Sequence, residues 1–340
     1  MPRRILGNPR KTKRDTIIQW VRAMTFPKQV SVSFMTDEDG YLGRECPNKD
    51  CEGYFKIKLG TGLTGKDLPC HCPYCGHSAG QDQFFTTDQI EYVKSVALRT
   101  VTDALHKDLK KLEFNRPAKG TFGIGISLTI KQGRPVPIRY YREKRLETSV
   151  VCEGCTHHYA IYGLFGFCPD CGAHNSFQIL AKNLDLVVKQ LDLASAVEDE
   201  NLRRHLTEDA LENCVSAFDG FGRETCRIRA HRSTNPAKAS SVSFQNPKRF
   251  AERLVELFGV DVDVRNLTSA SDWATIHKGS MKRHVLAHRS GVVDAQYVDE
   301  TSDPSAITGR RVPLQESEVR ELAELLRSLG RSLVGILPQP

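Results

Sequence analysis

Cys152-Glu-Gly-Cys155, followed after twelve residues by Cys168-Pro-Asp-Cys171-Gly172, is the stretch on which the reading of this chain turns. Two C-x-x-C pairs flanked by short strand-like runs meet the needs of a tetrahedral four-thiolate metal site. Each pair forms a tight turn whose backbone amides offset thiolate charge, and the strands hold the two turns face to face. Gly172, straight after the second pair, suits a turn that requires positive φ. A redox C-x-x-C comes singly near a βαβ pattern, which is not the arrangement here.

Upstream lies a second cluster, Cys46 and Cys51 followed by Cys70-His71-Cys72-Pro73-Tyr74-Cys75-Gly76-His77. Cys72-Pro-Tyr-Cys75-Gly76 repeats the form of Cys168-Pro-Asp-Cys171-Gly172, so Cys72 and Cys75 are read as ligands. Cys46 and Cys51 complete four, while Cys70, His71 and His77 each stay open as a replacement. Both clusters resemble zinc ribbons, small β modules that bind nucleic acids and proteins, over about 46–77 and 140–175. The resemblance implies two structural Zn2+ ions. With four thiolates at each site, no coordination position is left for a reactive water. Gly60-Thr-Gly62-Leu-Thr-Gly65-Lys66 is formally G-x-G-x-x-G, but Cys70 follows too soon for a dinucleotide-binding βαβ unit. It reads as a ribbon turn.

The rest of the composition frames these sites. In 340 residues, 48 Lys plus Arg against 41 Asp plus Glu give a formal charge of +7, which permits a polyanionic partner without demanding one. A hydrophobic share of 39% is enough for a buried core. No apolar run is long enough for a membrane span, and the basic residues at the start have no apolar stretch behind them. A cytoplasmic location is therefore expected, and a reducing compartment argues for metal rather than disulfides. Arg3, Arg4, Arg10, Lys11, Lys13 and Arg14 mark residues 1–26 as a basic arm, either a solvated tail or a phosphate contact.

Hydrophobic periodicity supplies the frame. Val30, Val32 and Phe34 alternate as a short strand. Thr86 to Gln89 offers a capping box, and the apolar residues behind it predict a long helix over 87–113. Residues 120–130 alternate as a strand with Phe122, Ile124, Ile126 and Leu128 on one side, and 135–151 reads as a strand pair. Helices are expected at 184–197, 200–221, 247–258, 272–288 and 316–337, with a loop over 299–313. The fold class is α+β and multidomain: two small β zinc ribbons with a long helix between them, then an all-α bundle. The boundaries fall at 1–26, 27–118, 119–180 and 181–340.

Residues 282–297 read Lys282-Arg283-His284-Val-Leu-Ala-His288-Arg289-Ser-Gly291-Val-Val-Asp294-Ala-Gln-Tyr297. This stretch resembles the HEPN superfamily, marked by Arg, a polar residue, three residues and then His on a late helix. The Gly-Val-Val-Asp tail is similar to that of its RiboL-PSP-like subgroup. Arg99 and His106 on the first long helix also satisfy an Arg-to-His spacing, so the order of helices over about 181–338 carries the resemblance. It implies a metal-independent endoribonuclease, a homodimer formed through the helical domain, and antiviral defence or toxin–antitoxin settings with an inhibitor as partner.

Arg283, His284 and His288 are the candidate catalytic residues. Histidine titrates near ~6.5 and can serve as base or acid, while arginine offers a permanent forked charge to phosphate. On an ideal helix Arg283 and His288 point about 140° apart, whereas His284 and His288 lie about 40° apart. A composite site across a dimer axis is therefore expected. Arg139, Tyr140, Tyr141 and Arg142 interleave cations with aromatics, as an RNA-stacking strip or as a charged edge strand. Lys282 and Arg289 flank the motif as further RNA contacts. The rival reading is a non-catalytic nucleic-acid- or protein-binding module.

Overall fold

The computed structural model describes residues 29–65, 68–117 and 124–338. The basic arm, Phe122 and Lys66 lie outside them. Among the described residues the fold is mixed α/β, about 49% helical with eight α-helices and small antiparallel sheets. Among the described residues no helix is long and apolar enough to cross a membrane.

The main sheet contains β1 (Tyr41–Glu45), β2 (Tyr54–Lys58), β7 (Thr148–Val151) and β8 (His158–Ile161), in the order β1-β2-β8-β7. β1 and β2 belong to the first cysteine cluster, β7 and β8 to the second. The central pairing sets Lys56 against Ala160 and Ile57 against Tyr159. The two clusters, which the sequence divides between two units, thus share one sheet. Leu42, Phe55, Ile57, Phe84, Val150, Tyr159 and Ile161 fill its core beside the cysteines. Two short ladders complete the β structure: β3 (Cys70–His71) with β4 (Ser78–Ala79), and β5 (Phe114–Arg116) with β6 (Ile126–Leu128).

Helix α1 (Thr87–Lys110) starts where the sequence places it. Thr86 accepts from the Gln89 amide, and the Gln89 side chain accepts from the Thr86 amide, closing the capping box. Its apolar stripe is only partly covered, with Ile90, Leu98 and Val101 exposed.

Two strand expectations fail for identifiable reasons. Residues 29–35 form no strand; Met35 instead bonds through both its amide and its carbonyl to the Tyr141 hydroxyl. Over 135–151 only β7 is a strand. Pro135 and Pro137 lack donors, the Arg139 amide goes to Ser95 Oγ, and the Lys144 amide goes to Tyr54 Oη. Side chains satisfy this segment where a ladder would have done so.

The C-terminal half is a bundle of α2 (Ser176–Ser195), α3 (Glu200–Arg227), α5 (Pro247–Phe258), α6 (Ala270–His288) and α8 (Glu316–Ile336). The short α4 (Pro236–Ala239) and α7 (Ala295–Thr301) lie between them; α7 occupies the start of the expected 299–313 loop. Leu184 and Leu191 of α2, Leu211 and Phe218 of α3, and Leu322 and Leu333 of α8 are buried together. Phe218, Phe244, Phe250 and Trp273 add a run of ring contacts. Gly222 is required here: a Cβ on it would lie 2.2 Å from the Phe244 ring. α5 has the expected bounds because its signals are local, with Asn246 capping the Arg249 amide, Pro247 in the first turn and Gly259 at φ 101°.

Candidate metal centres and candidate active site

In the first cluster Cys46, Cys51, Cys72 and Cys75 converge, and in the second Cys152, Cys155, Cys168 and Cys171 do so, with all ligand atoms of a group within 4.8 Å of one another. Cys46 and Cys75 have their Sγ atoms 3.7 Å apart, as do Cys51 and Cys72; Cys152–Cys171 and Cys155–Cys168 are at 3.6 Å. These separations exclude disulfides, which need about 2.0 Å. They are close to the edge of about 3.8 Å expected for a tetrahedron with metal–sulfur bonds of about 2.3 Å. The donor set and its size therefore fit one metal ion in each group.

The turns that present the sulfurs share one backbone device. The residue after the second cysteine of each pair has positive φ: Glu52 at 45°, Gly76 at 71°, Thr156 at 62° and Gly172 at 72°. In three of the four turns its amide donates to the carbonyl of the first cysteine, as Gly76 does to Cys72, Thr156 to Cys152 and Gly172 to Cys168.

The two centres are also related to each other. His71 donates its amide to the Pro169 carbonyl, and Phe167 donates its amide to the Pro73 carbonyl, both at 2.8 Å. The His71 ring lies over Gly172, and the Phe167 ring lies over Gly76. Each residue preceding a Cys-Pro-x-Cys-Gly turn thus covers the glycine of the other turn, which with the β1-β2-β8-β7 order gives the pair an approximate twofold relation. In this geometry His71 serves as a cover, Cys70 is buried in β3, and the four side chains that converge are Cys46, Cys51, Cys72 and Cys75, without Cys70, His71 or His77. The Gly60–Gly65 turn packs on the second centre, with the Leu63 amide donating to Asp170 at 2.5 Å.

The Arg283 motif lies on α6. Ser269 caps the helix start by accepting from the Asp272 amide, and Gly291 at φ 76° turns the chain after His288, its amide reaching the Val285 carbonyl. His284 and His288, one turn apart on the exposed face, have ring centroids 4.8 Å apart. Partial burial, then the charges of His288 and Arg289, push His284 below the ordinary histidine value of 6.5. A neutral imidazole with a free lone pair can accept a proton.

Arg283 turns toward α3. Its Nη2 donates to Glu212 Oε1 at 3.1 Å and its Nη1 to Gln245 Oε1 at 3.4 Å, with the side chain 14% exposed. Gln245 is held in turn by buried Asp219, which also accepts from the Ser243 hydroxyl and the Phe244 amide. Glu212, Gln245 and Asp219 are the residues sequence reasoning missed, since contacts across elements leave no mark in spacing. Arg283 and His284 line a cleft of about 800 Å³ between the 238–256 segment and α6–α7, whereas His288 stands outside it.

The weaker RNA candidates divide. Lys282 is a correction: it is fully buried, its Nζ bonding the Pro313 carbonyl at 2.6 Å and Glu318 at 2.8 and 2.9 Å, so no phosphate can reach it. Arg289 is exposed and 3.3 Å from Asp294. Arg139 pairs with Glu91. Tyr141 is half-buried and fixed to Met35, while Tyr140, packed against Tyr92, and Arg142 are exposed alongside Arg139. Tyr140, Tyr141 and Arg142 line a second cleft of about 1040 Å³ with Lys56 and Asp37. Comparison with family models, curated proteins and solved structures returned no match.

Proposed function

We propose that this chain is an endoribonuclease of HEPN type that works as a homodimer and needs no metal for chemistry, its paired four-thiol centres each holding a structural zinc ion. The observation that carries the reading is the placement of Arg283 at a cleft wall beside an exposed His284–His288 pair. The 2′-hydroxyl oxygen attacks phosphorus as its proton passes to His284. The bond from phosphorus to the 5′-oxygen breaks, and His288 delivers a proton to that oxygen. Arg283 stabilises the charge on the pentavalent phosphorus. The products are a 2′,3′-cyclic phosphate and a 5′-hydroxyl.

Within one protomer Arg283 faces the cleft and His288 does not. A second copy related by a dimer axis supplies the missing group at each site. The zinc centres, by this reading, hold the sheet that recognises a target or partner. The test is cleavage of end-labelled RNA in excess EDTA by wild type and by His288→Ala, with zinc content and oligomeric state measured for both. Cleavage by wild type alone, leaving cyclic-phosphate ends, supports the reading. Equal cleavage by both sinks it, and RNA binding without cleavage by either favours the non-catalytic module.

A further inference from the structure

We infer that the cleft beside Arg283 seats the sugar-phosphate backbone of single-stranded RNA, and that Arg249 of α5 supplies a second phosphate contact there. The inference rests on the nuclease reading for the role of Arg283 but on separate observations for Arg249. Five groups of positive or potentially positive charge line the cleft: Lys238, Arg249, Arg253, Arg283 and His284. Three carboxylates, Glu252, Glu256 and Glu300, line it too. Most of these charges are already matched. Glu256 pairs with both Lys238 and Arg253, and Glu300 pairs with Lys248.

Arg249 is different. It is exposed on the cleft and makes no ion pair or side-chain hydrogen bond among the described residues. Across the cleft Arg283 is paired with Glu212, its bond to Gln245 is long at 3.4 Å, and its Nε is buried with no partner among the described residues. The α5 N-terminus, Asn246-Pro247, opens on the same cleft and adds the positive end of a twelve-residue helix. Two arginines lining one cleft, one of them in the first turn of α5, suit a polyanion with spaced charges. Single-stranded RNA can lay its backbone along such a cleft with its bases splayed outward. Glu252, three residues beyond Arg249 and without an ion pair among the described residues, opposes phosphate and limits affinity.

The test is binding of a fluorescent 2′-O-methyl oligoribonucleotide, which lacks the nucleophile, to full-length wild type, Arg249→Glu and Glu252→Gln across a salt series. Both positions are exposed, and zinc content and melting temperature verify the fold. Arg249→Glu is expected to weaken binding by about tenfold and to make the log affinity against log salt slope shallower by about 0.7. Glu252→Gln is expected to tighten binding. Unchanged affinity and slope in both variants, or no binding by wild type at low salt, overturns the inference. Cleavage of ordinary RNA by wild type in the same samples keeps the two readings apart. Cleavage without dependence on Arg249 removes the subsite and leaves the nuclease; binding that depends on Arg249 without cleavage does the reverse.

Discussion

His174 Nε2 lies 3.2 Å from Glu224 Oε1, both side chains buried, and this contact joins the segment after the second four-thiol group to helix α3 of the bundle. Burial alone would raise the Glu224 carboxyl, but hydrogen bonds and charge from Arg227 and His174 outweigh it and hold the pKa at about 2, against 4.5 when free. A carboxyl lowered on folding contributes stability that is complete above its unfolded pKa and is lost as pH falls through the folded value. The Glu224 contribution is therefore intact at neutral pH and fades between about 4.5 and 2. Glu224→Gln is expected to cost about 2 kcal/mol at pH 7. Urea denaturation of both proteins over a pH series checks this, since the gap must close in acid.

Metal loss is expected to be cooperative. Because His71 and Phe167 exchange backbone bonds with the opposite turns, Cys168→Ser disturbs both centres. Bound zinc, measured by mass spectrometry of metals after desalting, should fall by more than one equivalent per chain. Retention of one tightly held ion would show that the centres are independent.

Gly222→Ala places a methyl group against the Phe244 ring. Overpacking of this kind costs about 1–3 kcal/mol. Phe244 precedes Gln245, so the same change shifts the partner of Arg283. A lower denaturation midpoint together with reduced cleavage is the expected result.

Lys282→Ala leaves Glu318 and buried Asp303 without their shared cation. The expected loss is about 3–5 kcal/mol. RNA affinity of whatever protein remains folded should keep its wild-type salt slope, because Lys282 reaches no phosphate. A shallower slope would place Lys282 at the RNA after all.

If His284 is the base, its lowered pKa sets the acidic limb of the rate profile. Cleavage should persist down to pH 6.5 and decline below it, as protonation removes the lone pair. A limb centred above 6.5 in kcat/KM would point to another group.

What the sequence disclosed was local chemistry. The Cys-Pro-x-Cys-Gly turns, the Thr86–Gln89 box and the Asn246-Pro247 to Gly259 helix each carry their signals within a few residues. Direction was the hidden part. Lys282 and Arg283 are neighbours of like charge, yet one is sealed against Glu318 and the other lines a cleft. Periodicity suggests strands at 30–34 and over 135–151, yet outside β7 distant side chains of Tyr141, Ser95 and Tyr54 take up backbone groups instead. Nor does either cysteine cluster's spacing reveal that its sheet is completed by the other, because β2 and β8 lie about a hundred residues apart.

That pairing also orders events during synthesis. The β1–β2 hairpin and all four sulfurs of the first centre have emerged by Cys75, but the strand that covers the free edge of β2 arrives only at His158–Ile161. At ordinary elongation rates the edge stays open for roughly 4–20 s. Lys56 and Lys58 on β2 discourage a neighbouring nascent chain from taking the vacant place. The first half-sheet is thus made well before the strand that borders it, and the residues of the helical bundle are made only after β8.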